Sequence, residues 1–234
     1  MTYPNPYKAF CIIDAVYDSL FPKLPLMHSH GKAHVMEVVT ILCALMQQEN
    51  VVDPGVITFA IICAVFHEAW DTKISEGLQH RILTTDSVLQ TVLGKYDFST
   101  SLISDCKMDL YILVKMIVTR ISWSRERAQN RDDWSLLPPL FLQIRHLVSD
   151  ADKLAAMGPT GILRSMLYQK EYALEHQNKT LTDQEVKQKY WVNSWLERLQ
   201  HYPNYIRTKA GKEEAERRMH LMHAYHCSMG CISG

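Results

Sequence analysis

The sequence has no apolar run long enough to cross a bilayer. The longest, Val56 to Phe66, covers about half of the roughly 20 residues that a spanning helix needs. The N-terminal segment MTYPNPYKAF lacks the basic start and long apolar stretch of a secretory leader, so the expected compartment is cytoplasmic and no membrane partner is expected. Charge of one sign is not in excess either. Lys+Arg and Asp+Glu stand at 25 each, which excludes the broad positive field that grips a nucleic-acid backbone. Any recognition of phosphate must then be local. Six cysteines (Cys11, Cys43, Cys63, Cys106, Cys227, Cys231) read as reduced thiols rather than a disulfide framework. Cys43 and Cys63 fall inside apolar helical patterns, where a thiol packs as a small hydrophobe. Alternating strand patterns, internal repeats, low-complexity tracts and linkers are missing as well.

What remains is an ordinary globular composition. With 234 residues, 47% of them hydrophobic and 21% charged, the chain buries a substantial core without disulfides. Val35, Val38, Val39, Leu42, Leu45 and Met46 recur at the 3,4 spacing of a one-sided helix over Val35 to Gln48. Asp53-Pro54 is the start signal of a second helix, Gly55 to Ala69, apolar on nearly every side and therefore central. Further helical patterns cover Tyr111 to Thr119, Leu140 to Met157 (stopped by Gly158-Pro159), Gly161 to Gln169, Gln184 to Leu199 and Gly211 to Tyr225. Thr84 to Asp86, Asp97 to Ser104 and Ser124 to Pro139 read as loops or caps, the last as a charged lid or insertion. The expectation is one all-α domain over 1–234, its chemistry within 28–164 and its helices of 165–226 packing on that core.

Ionisable residues meet apolar flanks in four places. His30 and His34, four apart, precede and open the Val35 helix. His67-Glu68-Ala69-Trp70-Asp71-Thr72-Lys73 closes the most apolar helix, with Asp71 one turn after His67. Asp150-Ala151-Asp152-Lys153 lies within the Leu140 pattern, and His220, His223, His226, Cys227 and Cys231 mark the tail. Each has a plain structural reading. A His at a helix end interacts with the helix dipole, an acid beside a Lys pairs in solvent, and the tail reads as a frayed helix with unpaired thiols. Burying His67 and Glu68 together, however, is costly unless they are paired or bind a cation. Imidazole with carboxylate suits Mn, Fe, Co, Ni or Zn, with Mg a poorer fit.

Taken jointly, His34 at the start of one helix, His67-Glu68 ending a buried one, and the distant Asp152 resemble the HD-domain phosphohydrolase superfamily. The flanks Ser29-His30-Gly31-Lys32-Ala33-His34, Ile121-Ser122-Trp123-Ser124 and Asp150-Ala151-Asp152-Lys153-Leu154 are similar to small bacterial-type HD nucleotide hydrolases and pyrophosphatases. The match runs from about Ser29 to Arg164. It departs at Glu68, where the family has Asp; a carboxylate one methylene longer still offers two oxygens.

The resemblance implies an all-α HD-like bundle in which His34, His67, Glu68 and Asp152 hold a divalent metal. Such an ion acts as Lewis acid and acidifies a coordinated water. It further implies Asp71 as orienter or base for the attacking water and His30 at the leaving group. Lys73, Lys153 and Arg164 are implied at phosphate oxygens. The expected partner is a small-molecule nucleotide, with no nucleic acid, acted on by a monomer or homodimer. The reaction is release of pyrophosphate from a nucleoside triphosphate or of phosphate from a monophosphate. Nucleotide binding without turnover and cyclic-nucleotide phosphodiesterase action are the alternatives.

Overall fold

The computed structural model describes residues 6–20, 31–68, 78–96, 98, 109–128, 134 and 136–229. Among these residues every regular element is helical. In chain order they are α1 (Pro6–Leu20), α2 (Lys32–Gln48), α3 (Pro54–Phe66), α4 (Leu78–Lys95), α5 (Leu110–Val118) and α6 (Trp123–Ala128). There follow α7 (Pro139–Ala155), α8 (Pro159–Gln177), α9 (Asp183–Lys189), a π-helical turn (Tyr190–Leu196), a 3₁₀ segment (Leu199–Tyr205) and α10 (Lys209–Ser228).

The centre is α3. Asp53 caps it, its Oδ1 accepting from the backbone N–H groups of Gly55 at 2.7 Å and Val56 at 3.0 Å, and Pro54 fits the first turn. Every residue from Gly55 to Phe66 is buried, as a helix apolar all round requires. The α2 stripe of Val35, Val38, Val39, Leu42, Leu45 and Met46 packs on α3 and, most extensively, on α7. Burying each such side chain contributes about 1.5–3 kcal/mol. These three helices carry or directly precede the chemistry-bearing residues, while α1 and α5 also pack on α3 and α4 packs on α1 and α5.

Local polar contacts fasten the C-terminal helices to this centre. The Asp150 carboxylate on α7 accepts from the backbone N–H of Arg207 (3.0 Å) and Thr208 (2.7 Å) and from the Thr208 hydroxyl. Thr208 in turn caps α10 through Gly211 N. Glu49 accepts from Ala210 N at 2.7 Å, and Arg218 donates to the Leu154 and Met157 carbonyls at the end of α7. One apolar cluster is continuous from Ala9 to Met222. The turn from α7 to α8 needs two glycines. Gly158 adopts φ +93°, and a Cβ on Gly161 would lie 2.1 Å from the Ala156 carbonyl oxygen.

Several sequence expectations need correction. Thr84 to Asp86 lie within α4 rather than a loop; Thr85 is buried and Asp86 pairs with Lys115 of α5 at 3.3 Å, so tertiary contacts override weak helix propensity. The stretch expected as a lid over Ser124 to Pro139 begins with α6, because its Glu126 turns inward onto Arg145 and Lys153. The terminal helix is not frayed at its histidines. His226 is fully buried, the Tyr190 hydroxyl lies 2.7 Å from its Nε2, and the Trp195 ring centroid is 4.4 Å away. Burial lowers the His226 pKa to about 4, so the ring packs neutral. Cys231 lies outside the described residues.

Candidate metal centre

Three helix ends bring the site together. His34 stands in the first turn of α2, His67 and Glu68 follow directly on α3, and Asp152 lies near the end of α7. His34 and His67 are buried; the Glu68 and Asp152 side chains retain 14% and 26% exposure, so the cluster opens to one side only. His34 Nε2 lies 3.3 Å from His67 Nε2, 3.4 Å from Glu68 Oε1 and 3.5 Å from Asp152 Oδ1. His67 Nε2 lies 3.9 Å from Glu68 Oε1 and 3.6 Å from Asp152 Oδ1.

These separations have a simple meaning. Ligands at about 2.1 Å around a tetrahedral cation stand about 3.4 Å apart. The five distances scatter about that edge, so His34, His67 and Asp152 form a group that could hold a metal ion, with a Glu68 oxygen beside them. His67 is oriented for the task. Its Nδ1 is 2.6 Å from the Ala64 carbonyl and donates to it, leaving the Nε2 lone pair toward the cluster. Tyr17 of α1 packs nearby; burial, aided by the Glu68 charge, raises its phenol above the ordinary range.

The electrostatics agree. Burial depresses the His34 pKa. Burial also opposes charge on His67, but the Asp152 and Glu68 carboxylates overcome it and raise that pKa to about 9. The opposite directions fit one proton shared between two rings 3.3 Å apart, since both imidazolium charges would repel. Although desolvation opposes its charge, half-buried Asp152 is held well below the usual carboxylate range by the two imidazoles. A raised His67 pKa and a lowered Asp152 pKa both favour positive charge among these four side chains, as a bound cation would supply.

A cavity of about 290 Å³ adjoins the cluster. Its other walls come from Ser122, Trp123 and Ser124 at the start of α6, from Arg164, Ser165 and Tyr168 of α8, and from Arg198 and Tyr202 of the irregular segment. Arg164, expected at phosphate oxygens, lines this cavity. Lys153 does not. Its ammonium is buried, 2.6 Å from Glu126 Oε2 and also bonded to Ser149, because a charge on that face of α7 has only the interior for company. His30, Asp71 and Lys73 lie outside the described residues. Arg198, Tyr168 and Tyr202 were not anticipated, since nothing in Leu196-Glu197-Arg198-Leu199 distinguishes that arginine from a solvated charge.

Among the described residues no helix is long and apolar enough to cross a membrane. No family profile matches the sequence, and no curated protein matches it. Solved structures do match. Selenomethionine YpgQ of Bacillus subtilis aligns over 96% of each chain with TM-score 0.58 and 18% identity. YpgQ in complex with ADP aligns over 94% of this chain and 95% of its own, with TM-score 0.59 and 18% identity. A Lactobacillus plantarum protein aligns over 98% of each chain with TM-score 0.63 and 16% identity. At such identities the likeness establishes a shared fold over nearly the whole chain.

Proposed function

We propose that this chain is an HD-type, metal-dependent phosphohydrolase acting on a nucleotide. The observation that carries the reading is the convergence of His34, His67, Glu68 and Asp152, from three helices, at the edge lengths of a coordination polyhedron. The donor set, two imidazole nitrogens and carboxylate oxygens, fits a divalent ion of the Mn, Fe, Co, Ni or Zn type. An ion bound there would supply Lewis acidity to a phosphoryl oxygen. The motif order along the sequence and the fold shared with a protein crystallised with ADP support a nucleotide as ligand.

The remaining work falls to the chain's own groups. Arg164 draws the phosphate into the cavity. Asp71, one turn beyond His67 in sequence, orients a water and takes its proton. The water oxygen bonds to phosphorus, the P–O bond to the leaving group breaks, and that group departs with the electron pair. Purified protein loaded in turn with Mn, Ni, Co and Mg, assayed against nucleoside mono-, di- and triphosphates, tests the reading. Metal-dependent release of phosphate or pyrophosphate is expected, and metal-loaded protein inert across that panel would refute it.

Asp71→Asn should lower kcat by about 10²–10⁴ while leaving metal content near wild type, as loss of a positioned base does. If Asp71 instead steadies His67, metal affinity falls by about 10–100-fold and added metal restores the rate. A kcat measurement across a metal titration separates the two, and an unchanged kcat and affinity would exclude Asp71 from the site.

A further inference from the structure

One wall of the cavity is tied to a single face of α7. After Val118 the chain leaves helical geometry and re-enters it at Trp123, so the carbonyl groups between α5 and α6 need partners from outside both helices. Side chains of α7 meet two of them. Arg145 donates to the Arg120 carbonyl at 2.8 Å, and Ser149 Oγ and Lys153 Nζ each lie 3.4 Å from the Ile121 carbonyl. The same three residues meet Glu126 on α6, Arg145 by an ion pair, Lys153 at 2.6 Å and Ser149 at 3.3 Å. The segment is thus gripped before and after Ser122, Trp123 and Ser124, which line the cavity.

Arg145, Ser149 and Lys153 stand four apart, so they form one row along α7, and all three are buried. Arg145 is itself held, its guanidinium 3.8 Å from the centroid of the Trp134 ring. Asp152, next to Lys153, points about 100° round the helix, toward the two imidazoles. One turn of α7 therefore bears a carboxylate of the metal cluster on one side and a tie to the cavity wall on another. Trp123 in turn packs near Tyr202, a further lining residue, with ring centroids 6.2 Å apart. Stability alone does not call for this chemistry. Apolar side chains of similar volume replace a buried ionic group at little cost, but they cannot hold two carbonyl groups in place.

We infer that Arg145, Ser149 and Lys153 are positioning residues, which fix the cavity wall of residues 121–124 relative to the metal ligand Asp152 and so set how a ligand is held beside the metal. They act through the wall and touch neither ligand nor metal. This rests on the phosphohydrolase reading for the identity of the ligand.

The test uses the full chain loaded with manganese. In a triple variant, Glu126→Leu with Arg145→Met and Lys153→Met, melting temperature and manganese content should stay close to wild type. Amide hydrogen exchange of residues 121–124 should nevertheless quicken by about 10–100-fold, the effect of losing one or two charged hydrogen bonds, while α3 exchanges as before. Binding of ADP should weaken by about tenfold, and the KM of any nucleotide turned over should rise alike with kcat within about threefold. Arg145→Lys keeps a charge on Glu126 without the fork that also reaches the Arg120 carbonyl. It should shift both readouts the same way by less, and it decides the matter if the triple variant fails to fold. Wild-type exchange in both variants, or faster exchange with ADP affinity and KM unchanged, would overturn the positioning role. Faster exchange with weaker ADP binding, in a protein that turns over no nucleotide on any metal, sustains the role and ends the hydrolase reading. Turnover with exchange and KM indifferent to the substitutions does the reverse.

Discussion

Asp152→Ala is expected to reduce transition-metal content to background and to lower phosphohydrolase turnover by about 10³-fold or more. Lewis-acid catalysis is worth several kcal/mol, and each 1.4 kcal/mol is tenfold in rate. The effect should exceed that of removing any one cavity arginine, because Asp152 Oδ1 lies within 3.6 Å of both imidazoles and steadies both. The same geometry fixes the pH dependence of metal uptake. The metal-free cluster holds a proton on His67, whose pKa is raised to about 9, and a cation must displace it. Metal affinity should therefore rise by about tenfold per pH unit as the pH climbs toward about 9 and level off above it. The metal-free fold behaves oppositely. A raised imidazole pKa gives stability that is complete below about pH 6.5 and is lost as the pH climbs through about 9. Isothermal titration across that range, with metal analysis of Asp152→Ala, checks both. Full metal content in the variant would remove Asp152 from the site.

Glu126→Ala should be the most destabilising single change outside the site. Glu126 is enclosed between two cations, Arg145 and Lys153, with the Ser149 hydroxyl also within reach, and all four side chains are buried. Burial pushes the pKa of both Arg145 and Lys153 down, and this carboxylate opposes that push on both. Breaking a buried pair from one side costs about 3–5 kcal/mol, and here two cations are orphaned at once. For a chain of this size that is a melting-temperature loss of roughly 10 °C. A triple variant, Glu126→Leu with Arg145→Met and Lys153→Met, should recover most of it, because apolar residues of similar size replace a buried ionic group at little cost. Thermal or urea unfolding reads both. A Glu126→Ala protein within 1 °C of wild type would show that the network contributes nothing. Glu126 also anchors α6, whose first residues Trp123 and Ser124 line the cavity, so partial loss of ligand affinity should accompany the loss of stability.

Most of the helices, though not α1, α4 or α6, and four of the candidate site residues could be read from the sequence because both follow local rules. Asp53-Pro54 announces α3, an unbroken apolar face announces its burial, and Gly158-Pro159 announces the turn to α8. His34, His67, Glu68 and Asp152 carried apolar flanks at recognisable spacing, and the structure brings them together. What escaped depended on distant partners. Lys153 looks like a surface cation until Glu126 is seen opposite it, and His226 looks frayed until Tyr190 and Trp195 enclose it. The apolar positions of α1, Ala9, Ile12, Ile13 and Val16, do show helical spacing and were overlooked. Arg198 had no such signal, since its meaning comes from the backbone path.

That path is a matter of length more than of composition. A turn that bonds five residues back accommodates one more residue than an α-helical turn, and each residue rotates the chain by about 100°. Between Tyr190 and Leu196 the chain takes up such a surplus, and Arg198 and Tyr202, which follow it, line the cavity. A relative shorter by one residue here would keep every metal ligand and every apolar contact of α2, α3 and α7, yet present a different side chain to the ligand. Lengths of this segment, compared across chains with the same metal cluster, would then sort them by the ligand they accept.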